Sequence, residues 1–418
     1  MNTPHNSYSH PPPIPSFPPI EPAPGPVQGP LLLDDLISLM SRFVVFPKWA
    51  AELCALWVVH TYAYERRPIC TYIAIESPDK ECGKSTLITV LSHLVERPIV
   101  SANITSPAFF RLIEEFKPSL LIDEAELNLR CSRELRAILN AGYSKPNAFV
   151  WRVTYDPLPD DQVPTPDSEP QAGHDLPRPA EARSGRLARY TCWCPKAVAS
   201  IGRLHETTVS RCITIRMHRK TDKEVCERLK RLDATDLKRQ CARFVLDHAD
   251  AIAAAEPPIP AGLTNRAADI WEPLLAIADL AGGRWPDLAR QAALALTATA
   301  QERSPMAALL LDIGLIFIHR GAERLFSRDL AAALNCQTDS PWAELRKGKP
   351  IDELWLAKQL RPYGIGPSNI RDGEITAKGY TLEAFKPIIK RYVPRSELEA
   401  RTTEPVQPAA PPVVNPTA

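Results

Sequence analysis

Residues 69–76 read Ile-Cys-Thr-Tyr-Ile-Ala-Ile-Glu, and residues 77–86 continue Ser77-Pro78-Asp79-Lys80-Glu81-Cys82-Gly83-Lys84-Ser85-Thr86. The first segment is β-branched and apolar, so it predicts a strand; the second predicts a tight loop that opens a helix. Strand, loop and helix in that order match a phosphate-binding loop of the pattern G-x-x-x-x-G-K-[ST]. There, backbone N–H groups at a helix N-terminus wrap the phosphates, the Lys reaches the β/γ oxygens and the hydroxyl holds Mg²⁺. Gly83, Lys84 and Ser85 fill the second half of the pattern, while Pro78 stands where the first Gly is expected and cannot supply a positive φ. The whole stretch Pro78, Asp79, Lys80, Glu81, Cys82, Gly83, Lys84, Ser85 and Thr86 is therefore the expected ATP-binding loop.

The segment Pro118-Ser119-Leu120-Leu121-Ile122-Asp123-Glu124-Ala125 supports this reading. A continuous apolar run suits a strand buried on both faces, as in a parallel sheet, and a carboxylate pair at its C-terminal end lies where open α/β sheets bind ligands. It has the form of a Walker B motif, with Asp123 expected to hold Mg²⁺ alongside Ser85 and Glu124 to orient or deprotonate the attacking water. The competing reading of Asp123 as a plain helix N-cap loses weight once Gly83-Lys84-Ser85 precedes it.

Around these motifs strands and helices alternate. Extended segments are expected at 99–104, 148–153, 187–195 and 212–217, a helix at 84–96, and a further helix over 196–201. That alternation predicts an α/β domain with a parallel sheet and helices on both faces. Residues 148–153 and 187–195 could pair as a hairpin. The chain divides into a Pro-rich tail expected to be disordered (1–30), N-terminal helices (31–68), the α/β core (69–220) with a Pro- and acid-rich insertion (155–183), a helical lid (221–303), a winged-helix-like module (304–395) and a second disordered tail (396–418). In the C-terminal module Arg371-Asp372-Gly373-Glu374 is a hairpin turn signal.

Composition narrows the classes. The 418 residues are 44% hydrophobic with formal net charge +1, enough for two or three cores and with no global electrostatic preference for nucleic acid. Ten cysteines lack paired zinc-ligand spacing and suit a reducing compartment. No apolar run reaches a membrane span, so a soluble, cytoplasmic protein without membrane partners is expected.

Seven motifs occur in a fixed order: Leu-Trp-Val-Val-His-Thr (56–61), the 77–86 loop, Leu-Leu-Ile-Asp-Glu-Ala (120–125), Leu-Asn-Ala-Gly-Tyr (139–143), Pro-Lys-Ala-Val-Ala-Ser-Ile-Gly (195–202), Asn-Arg-Ala-Ala-Asp-Ile-Trp-Glu-Pro-Leu-Leu-Ala-Ile-Ala-Asp (265–279) and Lys-Gly-Tyr (378–380). Together they resemble the P-loop ATPase domain of uncharacterised function found in phage, plasmid and genomic-island proteins, often behind a primase module, over about residues 31–395. The resemblance implies a P-loop NTPase of the AAA-like (ASCE) kind, with ATP and Mg²⁺ as cofactors, a homo-oligomeric ring, DNA as the partner polymer and a separate primase.

By the same comparison Arg211, just before the last strand of the core, corresponds to an arginine finger acting on a neighbouring subunit, and Arg266, opening a lid helix, to a sensor-2 arginine. The pattern breaks at Trp193-Cys194-Pro195, read as the tip of the fourth strand, where no Asn or Thr stands and Lys196 or Thr191 would have to substitute. Arg152 and Arg189 could project from the hairpin into a ring pore. Arg346, Lys347, Lys349, Lys358, Arg361, Arg371 and Lys378 could run along phosphates. The implied function is an ATP-driven DNA helicase or translocase of a mobile-element replication system. The alternatives are an ATP-switched DNA-binding regulator or helicase loader, and a degenerate ATPase serving as a scaffold.

Overall fold

Strand β1 (Tyr72–Ser77) is buried at every residue and has a parallel neighbour on each side. In the computed structural model, which describes residues 16–125, 132–155, 185–263, 265–301, 305–337, 341–345, 349–393 and 398, it belongs to a five-stranded parallel sheet. With β2 (Pro98–Ser101), β3 (Ser119–Ile122), β6 (Lys196–Ile201) and β7 (Cys212–Arg216), the order is β2-β3-β6-β1-β7. Strands β4 (Phe149–Tyr155) and β5 (Gly185–Thr191) form a separate antiparallel pair. The sheet lies in the first of two compact units, Met1–Thr297; the second is Ala298–Ala418.

Alternation along the strands sends side chains to two cores. Ile73, Ile75, Leu121, Ala197, Ala199, Ile213 and Ile215 face one side. There they pack with helices α1 (Gly29–Ser41), α2 (Ala50–Ala63) and α3 (Lys84–Leu94), and with α7 (Thr235–Asp247), α8 (Ala249–Ala254), α9 (Arg266–Ala281) and α10 (Trp285–Gln301). Tyr72, Ala74, Leu120, Ile122 and Val198 face the other side, against α4 (Ser106–Phe116), α5 (Arg133–Ala141) and the short helix α6 (Glu206–Val209). Each large apolar side chain so buried contributes roughly 1.5–3 kcal/mol. The helices expected to form a lid thus share one apolar core with α1, α2 and the sheet. Residues 222–234, expected to be helical, carry no helix.

Three motif residues of α2 act as structural latches. Trp57 Nε1 donates to the Thr71 carbonyl at 2.9 Å, and His60 Nε2 accepts the Thr71 N–H at 3.1 Å. Thr61 Oγ1, which donates to Val58, also accepts the Glu96 N–H at 3.2 Å. Together they fix the approach to β1 and the exit from α3.

Two further expectations need correction. Residues 196–201 are not a helix but β6, the strand between β3 and β1. Their Ala-rich sequence favours a helix locally, but two strands bonding to the same segment outweigh that propensity. Residues 16–28 are not a disordered leader. Phe17 packs edge-on against Phe116 with centroids 6.2 Å apart, Ala23 N donates to Arg239 O at 3.0 Å, and the segment leads directly into α1. The remainder of the expected N-terminal tail, nearly all of the insertion and most of the C-terminal tail lie outside the described residues.

In the second unit the order is helix α11 (Pro305–Arg320), β8 (Arg324–Phe326), helices α12 (Ser327–Asn335) and α13 (Glu353–Leu360), β9 (Ser368–Asp372), β10 (Ile375–Thr381) and helix α14 (Leu382–Tyr392). The sheet is antiparallel, β8-β10-β9, and Asp372 pairs with Ile375 across the hairpin turn expected there. The Lys-Gly-Tyr motif is architectural. A Cβ on Gly379 would lie 2.3 Å from Ile370 Cδ1 and 2.5 Å from the Leu325 carbonyl, while buried Tyr380 packs on Phe385. No helix of the described residues is long and apolar enough to cross a membrane.

Candidate functional site

The loop after β1 turns sharply. Glu81 has φ 63° and Gly83 φ 82°, both left-handed, with Cys82 between them. Such alternation of hand is how successive N–H groups come to face one concavity. Gly83 is needed for its φ rather than for space, since a Cβ there would meet only Met217 Cε at 3.5 Å. Cys82 points into the core. Helix α3 opens at Lys84 with no side-chain cap, leaving its first amides for another acceptor. Lys84 is buried, and its Nζ donates to Ser77 Oγ and, at 3.3 Å, to the Asp79 carbonyl. Pro78, Asp79, Lys80 and Ser85 are exposed, and Thr86 is half-buried.

Asp123 and Glu124 follow β3 directly. Asp123 N donates to Ser101 O at 3.0 Å, extending the ladder, and Asp123 Oδ1 accepts the Glu124 N–H at 3.0 Å. Glu124 is held at φ 52°, an unfavourable conformation for a side chain with a Cβ, and is exposed. Register fixes where the pair lies. Ile122 is level with Val198 and Val198 with Ala74, so the carboxylates share the C-terminal edge of the sheet with the 77–84 loop, two strand spacings (about 10 Å) from β1.

Between them ends β6, the true fourth strand. Ser200, fully buried, donates from Oγ to the Gly202 carbonyl at 3.0 Å, and Gly202 N donates to the Ser77 carbonyl at 2.8 Å. Buried Glu76 accepts the Leu204 N–H at 2.9 Å. The polar group at the strand tip is thus Ser200, which the sequence reading missed. The Gly closing Val-Ala-Ser-Ile-Gly was the available signal. Lys196 and Thr191, proposed as substitutes, are at the opposite end. Lys196 is wholly buried, and its Nζ donates to Tyr72 Oη (2.7 Å) and to the carbonyls of Cys192 (2.8 Å) and Cys194 (3.0 Å). Thr191 Oγ1 accepts the Trp193 N–H at 3.1 Å, within the turn at the hairpin base.

Arg211 and Arg266 lie together. Arg211 precedes β7, whose first residue Cys212 is level with Tyr72, so it stands at the N-terminal edge of the sheet, six strand residues (about 20 Å) from the loop. Its Nη1 donates to Thr207 O at 2.5 Å, and its guanidinium lies 5.3 Å from the centre of the Tyr143 ring. Arg266, at the start of α9, donates from Nη1 to Ser210 Oγ at 2.9 Å and lies 6.0 Å from the same ring. Burial, and next the charge of Arg266, pull the Arg211 pKa below its usual value. A sensor-2 role for Arg266 on its own chain's loop does not fit this placement, because its start of α9 is tied to the opposite edge.

The hairpin presents one open face. Trp151 is opposite Arg189 and Val153 opposite Leu187, and all four are exposed. The Arg189 guanidinium covers Phe149 at 4.2 Å and Trp151 at 5.9 Å. Arg152, expected beside it, faces the body instead, paired with Glu134 and lying over Phe110. In the second unit Lys349, Lys358, Arg361, Arg371 and Lys378 are exposed, whereas Arg346 and Lys347 fall outside the described residues. Among the described residues no group of His, Cys, Asp and Glu could hold a metal on its own.

Comparison with known proteins finds a family profile described as protein of unknown function (DUF3631) matching residues 216–392. An "uncharacterized 28.9 kDa protein in xis 5′ region" of Saccharopolyspora erythraea is 34% identical over 179 residues, which are 42% of this chain and 66% of that protein. Among solved structures, the A-form apo structure of the NrS-1 C-terminal region aligns with TM-score 0.38 and 12% identity, covering 86% of this chain and 78% of that one. A second structure of that region, spanning its residues 305–718, aligns with TM-score 0.37 and 10% identity over the same shares of the two chains. At that distance the likeness fixes neither fold nor activity.

Proposed function

We propose that the chain is an ATP-hydrolysing P-loop motor of the AAA-like kind that works as a homo-oligomeric ring on DNA in a mobile-element replication system, as a helicase or translocase. The observation that carries the reading is the convergence on one sheet edge of a left-handed loop with a buried lysine and the Asp123–Glu124 pair. The strand order supports it, because the carboxylate-bearing β3 is separated from β1 by a single strand.

In this reading the amides of residues 79–85 and the Lys84 ammonium bind the β- and γ-phosphates, and the left-handed Gly83 keeps the backbone close to them. Ser85 and Asp123 offer only oxygen donors, the set that suits Mg²⁺, which would neutralise developing charge on the phosphates. Glu124 orients the attacking water and accepts its proton. Arg211 acts from a neighbouring copy, since its own loop is out of reach. The outer face of the hairpin, with Trp151 and Arg189, offers single strands a stacking and cationic surface.

The test is ATP turnover by the purified chain with and without single-stranded DNA, beside Lys84→Ala and Glu124→Gln. The expected result is DNA-stimulated turnover that falls at least 100-fold in both variants, with nucleotide binding lost only in Lys84→Ala. Turnover that is unaltered by Lys84→Ala would overturn the reading.

A second reading, an ATP-switched regulator or helicase loader, draws on the helix-strand-helix-helix-strand-strand order and exposed basic residues of the second unit, which suit a winged-helix module on duplex DNA. Tight duplex binding without unwinding favours it.

A further inference from the structure

We infer that the cavity roofed by residues 16–21 is a binding site for an amphipathic organic carboxylate, its head held at Lys238 and its apolar body seated among Phe17, Tyr62 and Phe116. The site goes beyond the function proposed above and does not depend on it.

The cavity holds about 950 Å³, at the upper end of the range for small-molecule sites. Its floor comes from the ends of α2 and α4, from the turn after α3 and from α7. Pro98, at the start of β2 and level with Ser119, places it at the edge of the sheet opposite the phosphate loop. Helix α3, about 16 Å long, lies between the two. Its roof is proline-rich for a physical reason. Pro18 and Pro19 have no N–H, so the chain passes over an apolar space without leaving those donors unpaired. Both ends of the roof are fastened: Phe17 packs edge-on against Phe116 with centroids 6.2 Å apart, and Arg239 Nε donates to the Glu21 carbonyl at 3.2 Å. Tyr62 spends its hydroxyl on the Leu94 carbonyl at 2.6 Å, which leaves its ring to line the space.

The charges around the cavity say what the ligand carries. Three carboxylates and three cations line it: Glu21, Glu96, Glu115, Arg97, Lys238 and Arg239. Arg97 Nη2 donates to Glu96 Oε1 at 3.2 Å, and Arg239 has Glu21 at 3.6 Å. Glu115 is exposed and water can satisfy it. Lys238 is left over. It is half-buried, and among the described residues its ammonium has no hydrogen-bond or ion-pair partner; burial pulls its pKa down, and Glu96 opposes that only from a distance. A cation withdrawn from water and given no anion is costly, and a carboxylate brought to it forms a charge-assisted hydrogen bond. The neighbouring Glu96 and Glu115 disfavour a doubly charged phosphate at the same place, so one cation selects a singly charged head. The aromatic and proline walls then take an apolar body.

The test is a fluorescence titration of the full chain with pyrenebutyrate at neutral pH, beside uncharged pyrenebutanol and cationic pyrenemethylamine. The expected result is one pyrenebutyrate per chain, bound about tenfold more tightly than either control. Lys238→Met keeps the stem and removes the charge; it should weaken the carboxylate about tenfold and leave the alcohol unchanged, a difference that general loosening of the fold does not produce. Phe116→Ala should weaken both probes alike, and Lys390→Met, an exposed lysine of the second unit, should change neither. Decanoate should displace the probe and acetate at equal concentration should not. Equal affinity for acid and alcohol, tighter binding of the amine, binding that survives Lys238→Met, uptake that does not saturate at one per chain, or no binding at all overturns the site. No nucleotide enters the titration, so failure of the ATPase reading, seen as a wild-type chain that does not turn ATP over, leaves its outcome untouched.

Discussion

Lowering the pH from 7 to 5 is expected to destabilise the first unit through one side chain, His60. It is fully buried on α2, its Nε2 accepts the Thr71 N–H, and burial, with a smaller contribution from Arg67, pulls its pKa down to about 3. The unfolded chain takes up a proton on this residue below about pH 6.5 while the folded chain does not, so stability is fully present above that value and falls as the pH drops toward 3. At pH 5 the unfolded state is favoured by about 1.5 pH units at 1.36 kcal/mol each, or about 2 kcal/mol. That loss corresponds to a drop in melting temperature of about 4 °C for a unit of this size. His60→Gln keeps an acceptor for the Thr71 amide but cannot titrate. Calorimetry at pH 5, 6, 7 and 8 should therefore find a steep pH dependence in wild type and a shallower one in His60→Gln. Equal losses in the two chains between pH 7 and 5 would refute the argument.

Three other outcomes are expected. Gly142→Ala drives a methyl into the Cys192 carbonyl and should lower unfolding free energy by about 3 kcal/mol, read from the urea midpoint; an unshifted midpoint would mean that the contact relaxes freely. Lys196→Met strands the Tyr72 hydroxyl and two carbonyls in the core, at a cost of about 2–5 kcal/mol by the same measurement; a variant as stable as wild type would show the ammonium to be dispensable. Trp151→Ala with Arg189→Gln should weaken single-stranded DNA binding about tenfold by fluorescence anisotropy, with an unchanged melting temperature because both side chains are exposed; undiminished binding would remove the hairpin from the DNA path.

The parts of the fold legible in the sequence were those set by neighbours in the chain. The 69–86 strand, loop and helix and the 119–124 strand carry their own periodicity and turn chemistry, and both occur close to where they were expected. β6 was not legible, because Lys-Ala-Val-Ala-Ser-Ile has no strand signal strong enough to override its alanines; it is a strand because β3 and β1 bond to its two edges. That single error displaced the fourth-strand tip and hid Ser200. The 16–28 segment was misread for a related reason, since proline-rich composition argues against a core but not against docking on one, and Phe17 finds Phe116 only in three dimensions. Arg211 and Arg266 were each noticed singly. Their common seat on Tyr143 joins three distant segments, which no spacing rule connects.

The buried Lys196 also has a mechanical consequence. By holding the Cys192 and Cys194 carbonyls and the Tyr72 hydroxyl at once, it anchors the root of the β4–β5 hairpin to the central strand, and the Cys192 N–H to Ala148 carbonyl bond at 2.8 Å closes that root from the other side. The seven-residue strands beyond it form an arm about 23 Å long. A tilt of about 10° at the root would carry the far end by about 4 Å. A small rotation of the central strand is thereby amplified several-fold in displacement at the tip of the arm.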